Sequence, residues 1–501
     1  MLYAPPEGRF KDSTIVWNDG KYTLFAMYSK PVEGNAVYCN VWSAESEDGV
    51  HWNDIGPVIE DAPFPIWAMA IHRVGKKFIM NHGSVGIGEE MNVIRFWESE
   101  DLRNWKYTGA ERDLYPDPRW FAMNTRLDCM SVLPVVEDGK QIYYGYATGP
   151  GGILRSLDGI NWKGTGPIRV NWRGLQPPPT EEDEGILEIG GCQKIGNHYY
   201  LVGGWFNMMG MTGYGTYTLI GDSPTGPFSP DPGFYRLCGN SLRWVAMWAR
   251  FCQTDSELLV NGFFYDGYTY ELGQTWLPPI KQAIVDENEH LRLGYWKGNE
   301  AIKGAEFPLN DASLVRLAGD IDARSVEEGF EIQAQPEVIS LARVNQPTSI
   351  SVFDKRIPAE KGLVVQGKLC ASCKDPRLVA PSIGFYLEES DTDGTAIIFD
   401  SAGATQIGKC IIKEQEVEFN WEDTTGPGCA SVCGCVTNKT HKFTLFIRGN
   451  MFEIYLDDML VQTFNTAYSP EVPGRFPRRL GFIVRNGIGR FSDLKVWEMN
   501  L

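Results

Sequence analysis

Apolar and polar residues alternate over short runs through the first half of the chain, and the runs end at Gly, Asn or Asp. Period-two alternation buries one face of a strand, and those stop residues accept the positive φ of a tight reversal. One unit recurs five times: a polar or acidic start, an apolar strand, a turn, then an aromatic-rich strand. Its copies occupy residues 11–29, 66–82, 127–146, 187–203 and 247–264. Turn centres such as Asn18-Asp19-Gly20, Val74-Gly75 and Glu137-Asp138-Gly139 predict a β-hairpin in each copy.

A second signature follows the first three hairpins. Ser46, Asp48 and Trp52 recur as Ser99, Asp101 and Trp105 and again as Ser156, Asp158 and Trp162, with a looser copy at 222–228. The pattern reads as a turn between outer strands, closed by an aromatic that packs on its neighbour. Repeats about 50 to 65 residues long with four strands each predict a β-propeller. The expected fold class is therefore all-β, a five-bladed β-propeller followed by a C-terminal β-sandwich.

The sandwich is predicted because the Trp-rich repeat stops near residue 305. Alternating strands then follow at 362–369, 383–387, 443–447, 452–456 and 480–484. The domain reading is a propeller over 1–305, a linker over 306–330 and a sandwich over 331–501. Residues 286–296 and the acidic stretch 320–328 are read as connectors with some helix.

Composition narrows the function. Lys and Arg total 46 against 64 Asp and Glu, a net charge of −18. That sign repels phosphate backbones and anionic lipid, so neither nucleic acid nor a membrane surface is an expected partner. Mean hydropathy is −0.25, and no apolar run is long enough to span a bilayer. No basic segment followed by an apolar one opens the chain, which places it in the cytoplasm as given or makes it the mature form of a secreted protein. The 16 Trp, 21 Tyr and 25 Phe supply flat platforms suited to the apolar faces of sugar rings. Six of the 11 Cys lie between Cys370 and Cys435. They offer one or two disulfides or a zinc site, and their spacing is unlike a zinc motif, so no metal and no cofactor are expected.

In a propeller the first strands converge on a central channel, so the start of each hairpin is where chemistry gathers. Asp12, Asp128 and Glu188 stand there in the first, third and fourth copies, while the second and fifth carry Ala70 and Trp248 nearby. Two carboxyls are what glycoside hydrolysis needs, one to attack or activate water and one to protonate the leaving oxygen. Mutual repulsion and burial would keep at least one protonated near neutrality. Trp67, Trp205 and Trp248 flank hairpin mouths as candidate sugar platforms. Arg126, two residues before Asp128, shares its strand face and is a candidate to hold that carboxylate ionised or to bind substrate. His72 and His82 read as structural.

The order and spacing of the three acids resemble glycoside hydrolase family 32, the β-fructofuranosidases, whose propeller also carries a C-terminal β-sandwich. Residues 276–281 and 290–293 are similar to that family's exit segment. The resemblance implies Asp12 as nucleophile, Asp128 as stabiliser holding sugar hydroxyls, and Glu188 as general acid/base, acting on an oligosaccharide or small glycoside. The flanking residues depart from the family pattern. Its Asn-Asp-Pro-Asn becomes Lys11-Asp12-Ser13-Thr14, its Arg-Asp-Pro becomes Leu127-Asp128-Cys129 after Arg126, and its Glu-Cys-Pro becomes Glu188-Ile189-Gly190.

The related inverting family 43, which removes arabinofuranose and xylose, is the alternative within hydrolases; it places its second Asp in blade two. A non-catalytic carbohydrate-binding propeller is the alternative outside them. Retention or inversion, hydrolysis or transfer, and the oligomeric state are left open by the sequence.

Overall fold

The structure is a computed structural model. It describes residues 1–31, 38–84, 92–117, 119, 127–148, 152–173, 188–206, 214–231, 236–239, 246–268, 273–309, 312–334, 347–373, 380–401, 404–414, 416–425, 436–469, 471 and 474–501. The chain divides into two units, one of Met1–Gly239, Ala246–Tyr265 and Gln274–Leu291, the other containing Arg292–Leu501.

The alternating repeats of the first unit form antiparallel sheets in succession. Sheet one is β1 (Arg9–Asn18), β2 (Lys21–Ser29), β3 (Asn40–Ser46) and β4 (Asn53–Ile59). Sheet two is β5 (Trp67–Val74), β6 (Lys77–Ser84), β7 (Val93–Ser99) and β8 (Lys106–Tyr107). Sheet three is β9 (Met130–Glu137), β10 (Lys140–Ala147), β11 (Gly152–Ser156) and β12 (Lys163–Pro167). Sheet four is β13 (Glu188–Ile195), β14 (His198–Phe206), β15 (Tyr214–Gly221) and β16 (Ser229–Pro230), with β17 (Arg236–Gly239) also on β15. A fifth group pairs β18 (Ala246–Gln253) with β19 (Leu258–Tyr265), and β20 (Thr275–Trp276) and β21 (Lys281–Val285) both pair with β19.

These sheets are the blades of a propeller. The first strand of each packs on the first strand of the next: β1 on β5, β5 on β9, β9 on β13, β13 on β18, and β18 back on β1. The chain start closes the ring, since Leu2 N donates to Leu277 O at 2.8 Å and Leu277 N to Tyr3 O at 2.8 Å, beside β20 in the last blade.

The Ser-x-Asp echo is a repeated turn. Ser46 Oγ accepts from Gly49 N, and Asp48 Oδ1 accepts from the backbones of Val50 and His51. Ser156 and Asp158 repeat both features, and Asp101 accepts from Arg103 N and Asn104 N in the same way. These N–H donors hold Asp48 down to about 2 despite partial burial. The closing Trp of each turn packs on the preceding blade. Trp105 meets Phe25 edge-on at 5.7 Å, Trp162 meets His72 at 5.9 Å, and Trp52 meets Tyr3 at 6.2 Å. The motif therefore staples each of the first three blades to its neighbour.

The second unit is a pair of sheets. One has seven strands in the spatial order Leu314–Ala318, Thr348–Phe353, Arg479–Arg485, Ser382–Glu388, Asp393–Asp400, Thr405–Lys413 and Glu416–Thr425. The other runs from Met459–Asn465 through Met451–Leu456, Thr440–Arg448, Leu363–Ser372, Gly487–Met499 and Gly329–Ala334 to Arg324–Val326. Phe385 and Phe482 from the first meet Phe443 and Phe491 from the second, with Phe482 stacked on Phe491 at 4.0 Å. Those rings form the apolar filling that the alternating pattern predicted.

The connectors differ from expectation. Residues 281–285 and 291–295 are strands around a turn, with a 3-10 helix at Lys297–Ile302 after them. Within the expected linker, Leu314–Ala318 and Arg324–Val326 are strands too. Arg324 pairs with Glu331 across a reversal at Glu328, whose φ is 66°. Pairing to a neighbouring strand overrides the weak helical preference of this acidic stretch. Cys370 and Cys410 are free thiols, and Cys429, Cys433 and Cys435 lie outside the described residues. Among the described residues no helix is long and apolar enough to cross a membrane.

Candidate active site

The inner strands break regularity at one common level. β1 shifts register between Lys11 and Thr14, β5 between Trp67 and Met69, β13 between Ile189 and Gly191, and β18 between Met247 and Arg250. Such bulges re-aim side chains at the rim of a sheet. Asp12 sits in the first with φ 49°, and Ala68 in the second with φ 38°. The blade-two counterpart of Asp12 is thus Ala68 rather than Ala70, because the bulge advances the register. β5 as a whole, from Trp67 to Val74, carries no carboxylate.

Each acid is anchored through its own backbone or that of a residue one or two places along. Asn261 on β19 donates to Ser13 O at 3.2 Å, fixing the backbone next to Asp12. Asn81 on β6 clamps Met130 from both sides, donating to its O at 2.9 Å and accepting from its N at 2.7 Å. Thr148 joins the other two acids. Its backbone O accepts from Asp128 N at 3.3 Å and its N donates to Cys129 O at 3.1 Å. Its hydroxyl accepts from Ile189 N at 3.1 Å, one residue past Glu188. Two glycines clear space: a side chain on Gly83 would strike the Asp128 carboxylate, and one on Gly190 would strike Ala249 O.

The three acids are buried together. Asp12 is 9% exposed, Asp128 3% and Glu188 4%. Burial, followed by the charges of Glu188 and then Asp128, pushes Asp12 up to about 7, while Lys11 and Arg250 pull it down. Arg250, itself buried on β18, donates from Nη2 to Cys129 Sγ at 3.2 Å. Burial raises the Cys129 thiol to about 11, so it keeps its proton. Tyr214 on β15 is fully buried within reach of Glu188, and burial and that charge push its hydroxyl well above the ordinary range.

The remaining sequence candidates divide. Trp67 heads β5 beside Ala68, half-buried, with its ring 5.9 Å from that of Tyr38. Lys11 Nζ lies 5.3 Å from the same Tyr38 ring. Trp205 and Trp248 have backbones in β14 and in the bulge of β18, and their side chains lie outside the described residues, as does Arg126 entirely. His72 donates to Gly159 O, and His82 donates to Gly83 O and accepts from Trp97 Nε1. Burial lowers both rings to about 4, so they are neutral structural groups. Among the described residues no cluster of His, Cys, Asp or Glu is arranged as a metal site.

Sequence reasoning passed over Arg250, Tyr214 and Thr148. A lone Arg inside the apolar run of β18 was a legible signal. Tyr214 and Thr148 carried none, since a Tyr in a strand and a Thr just past the end of one are ordinary.

Solved structures sharing this arrangement cover nearly the whole chain. A family 32 β-fructofuranosidase from Bombyx mori matches at TM-score 0.64 and 13% identity, over 99% of this chain and 92% of that one. Fructan 1-exohydrolase IIa from Cichorium intybus matches at TM-score 0.65 and 13% identity, over 100% and 96%. Sucrose-6-phosphate hydrolase from Lactobacillus gasseri matches at TM-score 0.63 and 14% identity, over 98% and 91%. The fold is that of glycoside hydrolase family 32. No protein-family profile and no curated protein matches the sequence, so this is a divergent example of the family 32 fold. The likeness extends over both the propeller and the sandwich that family 32 structures carry.

Proposed function

We propose that the protein is a glycoside hydrolase of the β-fructofuranosidase kind, cleaving a furanoside-type sugar with retention. The observation that carries this reading is the burial of Asp12, Asp128 and Glu188, from three blades, close enough for the other two charges to raise Asp12. An Asp12 oxygen attacks the anomeric carbon as Glu188 gives its proton to the departing oxygen, leaving a glycosyl ester on Asp12. Glu188 then takes a proton from water, which attacks the same carbon and frees Asp12. Asp128 accepts hydrogen bonds from ring hydroxyls as positive charge builds on the sugar.

The electrostatics suit this division of labour. Two neighbouring carboxyls in a dry site share one proton more readily than they both ionise. A proton on Glu188 removes the main charge that raises Asp12, so the state with Glu188 neutral and Asp12 ionised is self-consistent. Lys11 and Arg250 further favour charge on Asp12.

Related folds support a fructosyl substrate. The Bombyx mori enzyme has been captured with sucrose, and a fructofuranosidase from Schwanniomyces occidentalis with fructose. The replaced neighbours of all three acids favour a furanoside other than sucrose itself. The inner strand of blade two, β5, offers no acid for the family 43 arrangement.

The test is a panel of fructosides, arabinofuranosides and xylosides given to wild type and to Glu188→Gln. Sugar release by wild type that drops by about 10²-fold or more in the variant is expected for loss of general-acid help. No release from any member by wild type defeats the reading and leaves a carbohydrate-binding propeller.

A further inference from the structure

Glu188 faces its cross-strand partner Gly204 on β14. β15 lies on the far side of β14, where Tyr214 pairs with Phe206, two residues along from Gly204. The Tyr214 side chain leans back over Gly204, and a Cβ at position 204 would overlap its hydroxyl. Only a glycine leaves that passage open. The hydroxyl therefore ends on the side of β14 that Glu188 faces, in a site where Tyr214 is 0% and Glu188 4% exposed.

We propose that Tyr214 is a positioning residue for Glu188, its hydroxyl crossing β14 over Gly204 to donate a hydrogen bond to the Glu188 carboxylate. The proposal rests on the reading of Glu188 as acid/base. A donor aimed at the charged form stabilises it and lowers the proton affinity of the carboxyl. Burial and the neighbouring Asp12 act in the opposite sense, so without Tyr214 the proton would be held more tightly and would leave less readily in the first step. Because burial and the Glu188 charge push the phenol well above its ordinary range, it keeps its proton and stays a donor.

Several other described groups stand near Glu188 or Tyr214. Asp12 on β1 repels it, with Lys11 on the same strand, and Arg250 on β18 and Asp128 with Cys129 before β9 sit next to Asp12. Cys238 on β17 lies near Tyr214, Arg236 is buried on that strand, and Cys192 on β13 is a buried thiol. Among these described groups Tyr214 is the one that brings a hydroxyl to the side of β14 that Glu188 faces.

The decisive measurement uses Tyr214→Phe in protein carrying carbon-13 at the glutamate side-chain carboxyls. The Glu188 signal is identified by its disappearance in Glu188→Gln. In Tyr214→Phe its titration midpoint should rise by about one pH unit, and Gly204→Ala, which displaces the hydroxyl, should move it the same way. An unchanged midpoint in a Tyr214→Phe protein that melts like wild type overturns the proposal. This readout needs no substrate, so it stands even where no glycoside on the panel is cleaved and the hydrolase reading itself has failed. With a cleaved substrate, the alkaline limb of kcat should move up by the same amount while kcat falls about 10-fold. A fall at every pH with the limb unmoved would mean a merely structural tyrosine.

Discussion

Asp12 and Ala68 hold one backbone position in consecutive blades, each in the bulge of an inner strand with φ of 49° and 38°. The geometry belongs to the fold, and the side chain placed on it decides whether a blade contributes chemistry. Blade one sets a carboxylate there, within the influence of Glu188 and Asp128, and blade two sets a methyl.

Asn tolerates a left-handed backbone, so Asp12→Asn removes charge without disturbing the bulge. Sugar release should fall by about 10³-fold or more, the scale of losing a nucleophile. Stability should move the other way. The carboxyl of Asp12 is raised from 3.8 to about 7 in the folded protein, so the stability tied to its neutral form is present below the unfolded value and lost as pH rises through about 7. Urea denaturation should show the variant equal to wild type near pH 4 and more stable at pH 8 by roughly 2 to 4 kcal/mol. Matching midpoints at pH 8 would show that the carboxylate is not strained by its surroundings.

Glu188→Gln removes the largest charge acting on Asp12. The variant should keep measurable activity only on furanosides with a good leaving group, which need no proton. Its acidic limb should stay near that of wild type, since glutamine and the protonated Glu188 are both uncharged while Asp12 ionises, and the alkaline limb set by loss of the Glu188 proton should vanish. An alkaline limb kept at the wild-type pH would argue that Glu188 is not the general acid.

Thr148→Val keeps the volume of the side chain and deletes the acceptor for Ile189 N. The loss should be roughly 1 to 3 kcal/mol of stability, the cost of a buried backbone donor left unpaired. A fall in kcat with little change in KM is expected, because the backbone beside Glu188 loosens. A stable variant with wild-type kcat would remove Thr148 from the positioning of the acids.

Gly83→Ala adds a methyl where the Asp128 carboxylate lies. Overpacking of this kind costs about 1 to 3 kcal/mol, and displacement of Asp128 should depress kcat far more than thermal stability would suggest. Gly139, in a turn with open space around it, is the contrasting site. Ala there strains a backbone at φ 74° but should leave the chemistry unaffected in the folded fraction.

Much of the architecture was legible because a propeller repeats its instructions. Hairpin turns such as Asp19-Gly20 and Asp138-Gly139 have the positive φ their sequence asks for, and Ser46, Ser99 and Ser156 each begin the same hydrogen-bonded turn. The common position of Asp12, Asp128 and Glu188 at the heads of their repeats was legible for the same reason. The strands at 314–318 and 324–326 were not, since short half-exposed segments owe their form to the strand beside them rather than to their own pattern.

What the sequence determined by itself was local and periodic: where strands start, which face is apolar, where the chain reverses, and how often. Those follow from side-chain alternation and from the φ that Gly, Asn and Asp accept. What only the tertiary structure decided was neighbourhood. The shift from Ala70 to Ala68, the approach of Arg250 to Cys129, the grip of Thr148 on two acid-bearing segments and the path of Tyr214 over Gly204 all join residues from different strands. Their meeting depends on bulges and blade packing, which no single stretch of chain encodes. Proton affinities belong to the same class, because they are set by burial and by charges brought from other blades.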